Sequence, residues 1–469
     1  MNSDYRDSGL VFPPNFLVGS ATAAYQVEGA ARDGGRTESI WDTFSHTPGK
    51  TWNGDTGDVA DDHYYRLESD LDLMAELGLD AYRFSISWPR FQPGGQGPIN
   101  PEGVSFYSRL VDGLLSRGIR PIATLYHWDL PQELEDEGGW PERDTAMWFA
   151  EYAELAATAL GDRVHTWTTL NEPWCSAYLG YGSASHAPGR TSDADALAAV
   201  HHLNLAHGMA VPRIREAATN SPEVSATLNF HVIRGEDAEA KRRIDALANR
   251  AFTSPMLLGR YDDDFIADTS EVTDWSFVHA GDLATIHQPL DFLGVNYYST
   301  VTVKMWDGVS ERAMNDGHKD MGGSAWPGSR NVEFLPQAGP YTAMNWNIAP
   351  DGLEELLVDL SERFPDLPLM ITENGAAFDD EVTDGRVHDA DRVDYLNRHF
   401  TAAHRAMQRG VNLQGYLVWS LLDNFEWGYG YSKRFGIVRV DYDTQERIVK
   451  DSGLWVSEVA KNKATPTLS

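Results

Sequence analysis

Short apolar runs alternate with longer amphipathic segments along most of the chain. Several runs are almost continuously apolar and rich in β-branched residues, which is typical of strands buried on both faces of a parallel sheet. Eight strands are predicted in this way, over Phe16–Ala21, Ala81–Ser87, Pro121–His127, Thr166–Asn171, Val224–Phe230, Phe292–Tyr297, Leu369–Thr372 and Gly415–Ser420.

The segments between the predicted strands carry helical patterns. One helix is predicted because apolar residues fall at i, i+4, i+7 and i+11 on a single face, namely Trp148, Tyr152, Leu155 and Ala159. Gly161 is placed to end this helix. Two further segments of similar character predict helices over Pro101–Arg117 and Asp391–Arg409.

Eight strand–helix alternations in one uninterrupted chain predict a fold of the α/β class, a closed (β/α)8 TIM barrel. No linker or low-complexity segment divides the sequence, so residues 1–469 are expected to form a single catalytic domain. A doubly wound sheet is the alternative, but no Gly-x-Gly-x-x-Gly pattern follows the first strand. The chain is longer than the ~250 residues typical of a bare barrel, and the surplus is assigned to long βα loops, chiefly about residues 298–350.

The charge balance restricts the partners of the protein. Seventy acidic and 38 basic residues give a formal net charge of −32, which repels nucleic acid and anionic membrane surfaces. A neutral small-molecule substrate is therefore expected, although a solvated acidic coat explains the charge equally simply. The 15 tryptophans serve packing or provide flat rings for sugar stacking.

Cys175 is the only cysteine, which excludes an intrachain disulfide and a multi-thiolate metal site. The first residues lack the layout of a signal peptide, and no apolar run reaches the ~18 residues of a membrane span. A cytoplasmic protein is predicted, with neither a cofactor nor a metal. The sequence allows a homo-oligomer.

Polar and aromatic residues cluster after the predicted strands. In a parallel barrel the carboxyl ends of the strands form the active site. The residues at these ends are Gln26 at the first strand, His127 and Trp128 at the third, Asn171 and Glu172 at the fourth, Asn296 and Tyr298 at the sixth, Glu373 at the seventh and Trp419 at the eighth.

Two of these residues suit one particular reaction. Cleavage of a glycosidic bond needs an acid for the leaving oxygen and a carboxylate for the anomeric carbon. A lone Glu at a strand end is more often a solvated loop carboxylate. Glu172 and Glu373, however, each lie beside an Asn and end strands on opposing sides of the barrel mouth, which favours a catalytic pair.

Four motifs together carry a family resemblance. They are the opening segment Phe16–Ala30, Asn171-Glu172-Pro173, Thr372-Glu373-Asn374-Gly375 and Asn424-Phe425-Glu426-Trp427. With them the chain resembles glycoside hydrolase family 1, the β-glucosidase family, over nearly its whole length. The resemblance implies a retaining β-glycosidase that hydrolyses terminal non-reducing β-D-glucosyl residues, with Glu172 as acid/base and Glu373 as nucleophile.

The same resemblance implies roles for the surrounding residues. Arg83 and Tyr298 would hold the nucleophile ionised, although Arg83 alone also fits a structural salt bridge. Substrate-binding roles fall on Gln26, His127, Trp128, Asn171, Asn296, Tyr298, Trp346, Trp419, Glu426 and Trp427, with Trp419 as the stacking floor. Trp174, Leu179 and Trp346 match the pocket entrance, where Cys175 is a packing residue or an entrance contact.

Several alternatives stay open at this point. A β-galactosidase or β-fucosidase of the same family, a non-catalytic sugar-binding protein and a metal-dependent barrel hydrolase all remain. A metal site that pairs His127 with Asp129 is disfavoured, since no second His or acid lies at ligand spacing. A phosphorylated sugar is a further alternative substrate. Lys433 could bind its phosphate, but Glu426 would repel a phosphate at the 6-position. The expected substrates are β-glucosides and short β-linked oligosaccharides, as in cellulose degradation.

Overall fold

The computed structural model describes residues 5–319 and 321–467. Eight parallel strands close into a barrel, each neighbouring the next in chain order. They are β1 (Leu17–Ala21), β2 (Ala81–Ser85), β3 (Arg120–Tyr126), β4 (Thr166–Asn171), β5 (Glu223–Asn229), β6 (Phe292–Asn296), β7 (Leu369–Asn374) and β8 (Leu413–Trp419).

The first and last strands close the barrel. Leu17 of β1 lies opposite Gly415 of β8, and the register continues to the pair Ala21 and Trp419. β4 matches its predicted bounds, and the other predicted strands agree within about two residues at either end. The predicted (β/α)8 barrel is therefore confirmed.

At two of the strand ends that differ from the sequence-based bounds, the structure gives a clear reason. β2 stops at Ser85 rather than Ser87, because a short helix starts at Trp88. β7 runs past Thr372 to Asn374, since Glu373 still pairs with Asn296 of β6. The extension keeps Glu373 on the rigid barrel.

Long helices surround the barrel. They are His63–Leu77, Pro101–Ser116, Asp144–Leu160, Asp193–Ala217, Ala238–Asp245, Ala251–Leu258, Pro350–Arg363, Ala390–Gln408 and Asp451–Asn462. Shorter helices are Ala24–Val27, Ile40–Ser45, Trp88–Phe91, Gln132–Asp136, Asp263–Thr269 and Asp282–Ile286. Single turns of 3-10 helix lie at Trp52–Gly54, Pro93–Gly95 and Trp427–Tyr429, and π-helical segments at Cys175–Gly182 and Ala246–Arg250.

The predicted apolar face of the helix Asp144–Leu160 packs against the core, but it forms the margin of the buried face rather than its centre. Tyr152 is fully buried and donates to the carbonyl oxygens of Ile86 and Leu125, but the other three predicted face residues are only half-buried. The buried face is instead centred on Phe149, Ala153, Ala156 and Leu160. The alanines give a small surface on which the helix Asp193–Ala217 can approach closely.

The region 298–350 is more ordered than the predicted long loop. It contains the strands Thr300–Met305 and Val332–Leu335, which form a three-stranded sheet with Val232–Arg234. Val301 and Val303 are buried while Lys304 is exposed, which is the alternation of a half-buried strand. Two small hairpins complete the strands, Val382–Thr383 with Arg386–Val387 and Val438–Val440 with Arg447–Val449.

Among the described residues, no helix is both long enough and apolar enough to cross a membrane. The core consists of the barrel interior and the layer between barrel and helices, and it includes the fully buried rings of Trp88, Trp140 and Trp167. This packing fixes the strands, and so the positions of the side chains at their carboxyl ends.

Candidate active site

One cavity opens at the carboxyl ends of the barrel strands. Its wall brings together ten of the residues that the sequence singled out, namely His127, Trp128, Glu172, Asn296, Tyr298, Trp346, Glu373, Trp419, Glu426 and Trp427. Arg83, Asn171 and Gln26 lie behind this wall, fully buried. The strand ends thus converge on one site, as expected for a barrel.

Both glutamates of the predicted catalytic pair are buried. Glu172 is 5% exposed and Glu373 is 3% exposed. Glu172 has a left-handed φ of 48°, an uncommon conformation for a residue with a side chain. The backbone N–H of Cys175 donates to the Glu172 carbonyl at 2.9 Å, so the turn after β4 is fixed locally. Glu373 needs no such turn, because it is part of β7.

Glu373 is surrounded by donors. Arg83 Nη1 donates to Oε1 at 2.7 Å, and the Tyr298 hydroxyl donates to Oε2 at 2.7 Å. Burial raises the pKa of Glu373 above its ordinary value, and Arg83 and Tyr298 oppose this rise. Burial also raises the pKa of Tyr298 far above its usual range, so its phenol remains a donor. These contacts favour the ionised carboxylate that a nucleophile requires.

Glu172 has a different environment. Asn296 Nδ2 donates to Oε1 at 2.7 Å, and Cys175 Sγ lies 3.4 Å from Oε2. Burial, and after it the charge of Glu373, raises the pKa of Glu172 to about 8. The carboxyl is therefore protonated at neutral pH. Two carboxyl groups with opposed environments are the usual basis of an acid and a nucleophile in one site.

Asn171 connects Arg83 with the rest of the site. Its Oδ1 accepts from Arg83 Nη2 at 2.7 Å and from Asn296 Nδ2 at 3.1 Å, while its Nδ2 lies 3.2 Å from His127 Nε2. Since burial lowers the pKa of His127 far below its usual range, the ring is neutral. Nε2 must then accept, which places the ring proton on Nδ1.

Aromatic rings form one side of the cavity. The rings of His127 and Trp419 stack with centroids 5.7 Å apart and an interplanar angle of 18°. Trp427 lies 4.7 Å from Trp128, and both have left-handed φ values, of 49° and 80°. Flat rings at a barrel mouth suit the apolar face of a sugar, and Trp419, predicted as the stacking floor, lines the cavity.

Buried polar atoms of the site without a protein partner in the described chain include Glu426 Oε2 and His127 Nδ1 on the wall and Gln26 Oε1 behind it. Burial and the charges of Glu373 and Glu172 raise the pKa of Glu426 to about 8. Gln26 directs its amide nitrogen to Asn424 Oδ1 and the Phe425 carbonyl. A ligand rich in hydroxyl groups would satisfy such donors and acceptors.

The outer end of the cavity contains the residues predicted for the entrance, with one exception. Leu179, Cys175 and the half-buried Trp346 line the wall. Trp174 is fully buried behind it, where its ring packs against Trp326.

The sequence reasoning missed several wall residues, namely Lys50, His186, Asn229, His231, Met344, Tyr429 and Phe435. Asn229 and His231 come at the end of β5, so extending the strand-end rule to β5 finds them. The others are contributed by loops that carry no recognisable pattern.

The described part of the chain contains no group of three or more His, Cys, Asp or Glu side chains arranged to hold a metal ion. Asp129 is fully buried, and burial raises its pKa to about 7. It lies outside the residues that line the cavity.

Comparison with known proteins decides the family. The sequence matches the model of glycosyl hydrolase family 1 over residues 9–465. The chain belongs to glycosyl hydrolase family 1. The resemblance drawn from the four motifs is therefore confirmed, and the protein is a glycoside hydrolase of a retaining family.

Individual family 1 members are similar to the chain over almost its whole length. A bifunctional β-D-glucosidase/β-D-fucosidase from Bifidobacterium breve is 55% identical, and the match covers 95% of this chain and 97% of the relative. A psychrophilic β-glucosidase from Micrococcus antarcticus has a TM-score of 0.91 and 47% identity, covering 98% and 100% of the two chains. A family 1 β-glucosidase from Thermotoga maritima has a TM-score of 0.90 and 44% identity, covering 97% and 99%.

Proposed function

We propose that the protein hydrolyses terminal non-reducing β-D-glucosyl residues from β-glucosides and short β-linked oligosaccharides. Glu172 is the acid/base and Glu373 is the nucleophile. The observation that supports this most is the pair of buried glutamates in one cavity, one held by Arg83 and Tyr298 and the other carrying a raised pKa of about 8.

The first half-reaction forms a glycosyl-enzyme. A carboxylate oxygen of Glu373 bonds to the anomeric carbon while the bond from that carbon to the aglycone oxygen breaks. The proton of Glu172 passes to the departing oxygen, so the aglycone leaves as a neutral alcohol. Arg83 and Tyr298 hold the attacking carboxylate in place before the reaction.

The second half-reaction releases the sugar. Once Glu373 is esterified, its negative charge is gone, and Glu172 becomes more acidic and suited to act as a base. Glu172 takes a proton from water, whose oxygen bonds to the anomeric carbon as the ester bond to Glu373 breaks. Two displacements return the β-configuration.

Substrate recognition is assigned to the inner end of the cavity. Trp419 is the floor beneath the sugar ring, and Glu426, His127 and Gln26 supply their unpaired polar atoms to the hydroxyl groups. Trp427, Trp128 and Asn296 line the same wall, and Asn171 supports it from behind. Trp346 contributes to the aglycone side.

A second activity on β-D-fucosides is included in the proposal. The relative from Bifidobacterium breve, 55% identical, is named for both activities. A fucoside lacks the 6-hydroxyl, and the cavity wall includes the aromatic rings of Trp427 and Tyr429, which follow Glu426 in the chain. Such a wall tolerates a methyl group at that position. Activity on β-galactosides is the alternative within the family.

Two observations argue against a phosphorylated sugar. The net charge of −32 repels a phosphate, and Glu426 adds to the repulsion as the pH rises through its pKa of about 8. Lys433, which could neutralise a phosphate, donates from Nζ to the Ala343 carbonyl at 2.7 Å and does not line the cavity.

The wider setting is part of the proposal. We infer one catalytic domain over residues 1–469, supported by the family match over 9–465 and the pairing of β1 with β8. A role in cellulose degradation and a cytoplasmic location remain predictions, as do homo-oligomer formation and the lack of binding to nucleic acid. Cell fractionation and light scattering test location and oligomeric state.

A substrate panel tests the function. We expect turnover of aryl β-D-glucoside, aryl β-D-fucoside and cellobiose, undiminished by a chelator, with a Glu172→Gln/Glu373→Gly protein as the background control. Binding of glucose without turnover of any glycoside would instead indicate a sugar-binding protein. Loss of activity on chelation would indicate a metal-dependent hydrolase.

A further inference from the structure

The hydrogen-bond directions around Glu172 follow from one residue. The Arg83 guanidinium can only donate, so the Asn171 atom that faces its Nη2 at 2.7 Å must be the carbonyl oxygen Oδ1. That same oxygen lies 3.1 Å from the amide of Asn296, which must therefore present Nδ2 there. Asn296 Oδ1 in turn accepts from Thr372 Oγ1 at 2.8 Å. The amide orientation of Asn296 is thus fixed from both sides.

This orientation determines which oxygen of Glu172 carries the acid proton. Asn296 Nδ2 donates to Oε1 at 2.7 Å, so a proton on Oε1 would face the amide hydrogen. The proton of the acid form must then reside on Oε2. Oε2 is the oxygen that has to reach the departing aglycone oxygen.

Cys175 is the neighbour of that oxygen. Its Sγ lies 3.4 Å from Oε2, and the side chain is 7% exposed on the cavity wall. The contact is built into the backbone, because the N–H of Cys175 donates to the carbonyl of Glu172 at 2.9 Å. Burial raises the pKa of the Cys175 thiol far above its usual range, so it keeps its hydrogen.

We propose that Cys175 is a positioning residue for Glu172, whose thiol contacts the proton-carrying oxygen and fixes both the orientation and the acidity of the acid/base. The thiol donates S–H to Oε2 in the base form, while it is only a weak acceptor for the acid form. It therefore favours the carboxylate. This inference rests on the proposed role of Glu172.

Other groups around Glu172 also act on its acidity. Burial and the charge of Glu373 raise the pKa of Glu172, and Arg83 lowers it, while Glu172 in turn raises the pKa of Glu426. The charged and titratable groups that face Glu172 are Glu373, Glu426, Arg83, Tyr298 and Cys175. Burial keeps the Cys175 thiol uncharged, so its replacement removes a hydrogen-bond donor from Glu172 but no charge from the site.

The experiment compares Cys175→Ser with Cys175→Ala, two small side chains that differ by one hydroxyl donor. The measurement is kcat/KM against pH on a glucoside with a poor leaving group, where protonation by Glu172 is required. Without a donor the alkaline limb should move to higher pH in Cys175→Ala. The serine hydroxyl, a stronger donor than a thiol, should move it to lower pH, about one pH unit from the alanine limb.

The acidic limb, which reports Glu373, is the internal control and should stay in place in both variants. Alkaline limbs that coincide in the serine and alanine proteins would overturn the proposal, as would a parallel movement of both limbs. Equal thermal midpoints would confirm that both variants fold.

Glu172→Gln separates this inference from the function on which it rests. If Glu172→Gln leaves the alkaline limb and the poor-leaving-group activity intact, the acid/base assignment fails and the Cys175 proposal fails with it. If Glu172→Gln removes them while the Cys175 variants do not differ, only the Cys175 proposal is wrong.

Discussion

Arg83 Nη1 lies 2.7 Å from Oε1 of Glu373, and the two side chains are 0% and 4% exposed. A buried ion pair of this kind gives little net stability, because desolvation offsets much of the attraction. The contribution of this ion pair is to hold the Glu373 carboxylate in one position. With Tyr298 on Oε2, the remaining approach to Glu373 is from the cavity.

Removal of the carboxylate gives the first prediction. Glu373→Gly should lower kcat on an activated aryl β-glucoside by about 10⁴-fold or more, since no glycosyl-enzyme can form. Azide should enter the vacated space, restore part of the activity and give an α-glycosyl azide, which NMR identifies. Undiminished turnover without azide would end the assignment.

Loss of the cation should shift the pH profile. Arg83 lowers the pKa of Glu373, so Arg83→Met should raise that pKa and move the acidic limb of kcat/KM to higher pH. Activity is lost on the acid side, because protonated Glu373 cannot attack.

Arg90→Met is the matched control for that experiment. Arg90 pairs with Glu28 at 2.8 Å, and these side chains are 0% and 5% exposed, outside the residues that line the cavity. Both variants should lose about 3–5 kcal/mol in free energy of unfolding, measured in urea. An acidic limb that moves equally in both variants would assign Arg83 a structural role only.

The role of Glu172 as the acid can be tested by varying the leaving group of the substrate. Glu172→Gln should lower kcat/KM by roughly 10²–10⁴-fold on glucosides with poor leaving groups and far less on activated ones, because only difficult departures need a proton. In the unmodified protein, activity on poor leaving groups should fall as pH rises through the Glu172 pKa of about 8. Equal losses on both substrate classes would contradict the role.

Retention is measured separately from these rates. An NMR time course on a β-glucoside should show β-glucose before mutarotation produces the α-anomer. Initial release of α-glucose would exclude the double displacement.

Substitution of Glu426 tests the specificity of the protein for the sugar. Its Oε2 is buried without a protein partner in the described chain, so a sugar hydroxyl is its expected donor. Glu426→Ala should lower kcat/KM on a glucoside, and each lost hydrogen bond should weaken transition-state binding by about 1–3 kcal/mol. The fucoside, without a 6-hydroxyl, should lose less.

The test measures kcat/KM on three substrates, namely a glucoside, a fucoside and a 6-phosphoglucoside. Each substrate is assayed with the unmodified protein and with Glu426→Ala. The unmodified enzyme should turn over the phosphoglucoside poorly, because the net charge of −32 repels the phosphate and Glu426 adds to the repulsion as the pH rises through its pKa of about 8. Equal proportional losses on glucoside and fucoside would make Glu426 a structural carboxylate, and efficient phosphoglucoside hydrolysis would place the enzyme in another branch of the family.

The barrel was predictable because its strands are buried on both faces and so carry continuous apolar runs. The segment Pro121–His127, which the structure places within one residue as β3, is an example. Helix faces were less accessible, since the helix Asp144–Leu160 packs on two sides and its alanines give no apolar contrast. The sequence predicts a loop at Thr300–Met305, because the alternation of buried and exposed positions there spans only a few residues.

The strand-end rule placed the two glutamates in one cavity, but it could not show which atoms meet. Whether Asn171 lines the cavity or lies behind it depends on Arg83, which is distant in sequence and approaches from another strand. The contact of Cys175 with Glu172 likewise depends on a left-handed turn at Glu172, which no residue preference predicts for a glutamate.

The sheet that joins Val232–Arg234, Thr300–Met305 and Val332–Leu335 ties the segment after β5 to the segment after β6. His231 and Val301, both on the cavity wall, belong to or adjoin these strands. The chain entropy of this side of the mouth is therefore lost during folding rather than on each encounter with a ligand. An aglycone meets a preformed surface there, and more of its contact energy is left to discriminate one leaving group from another.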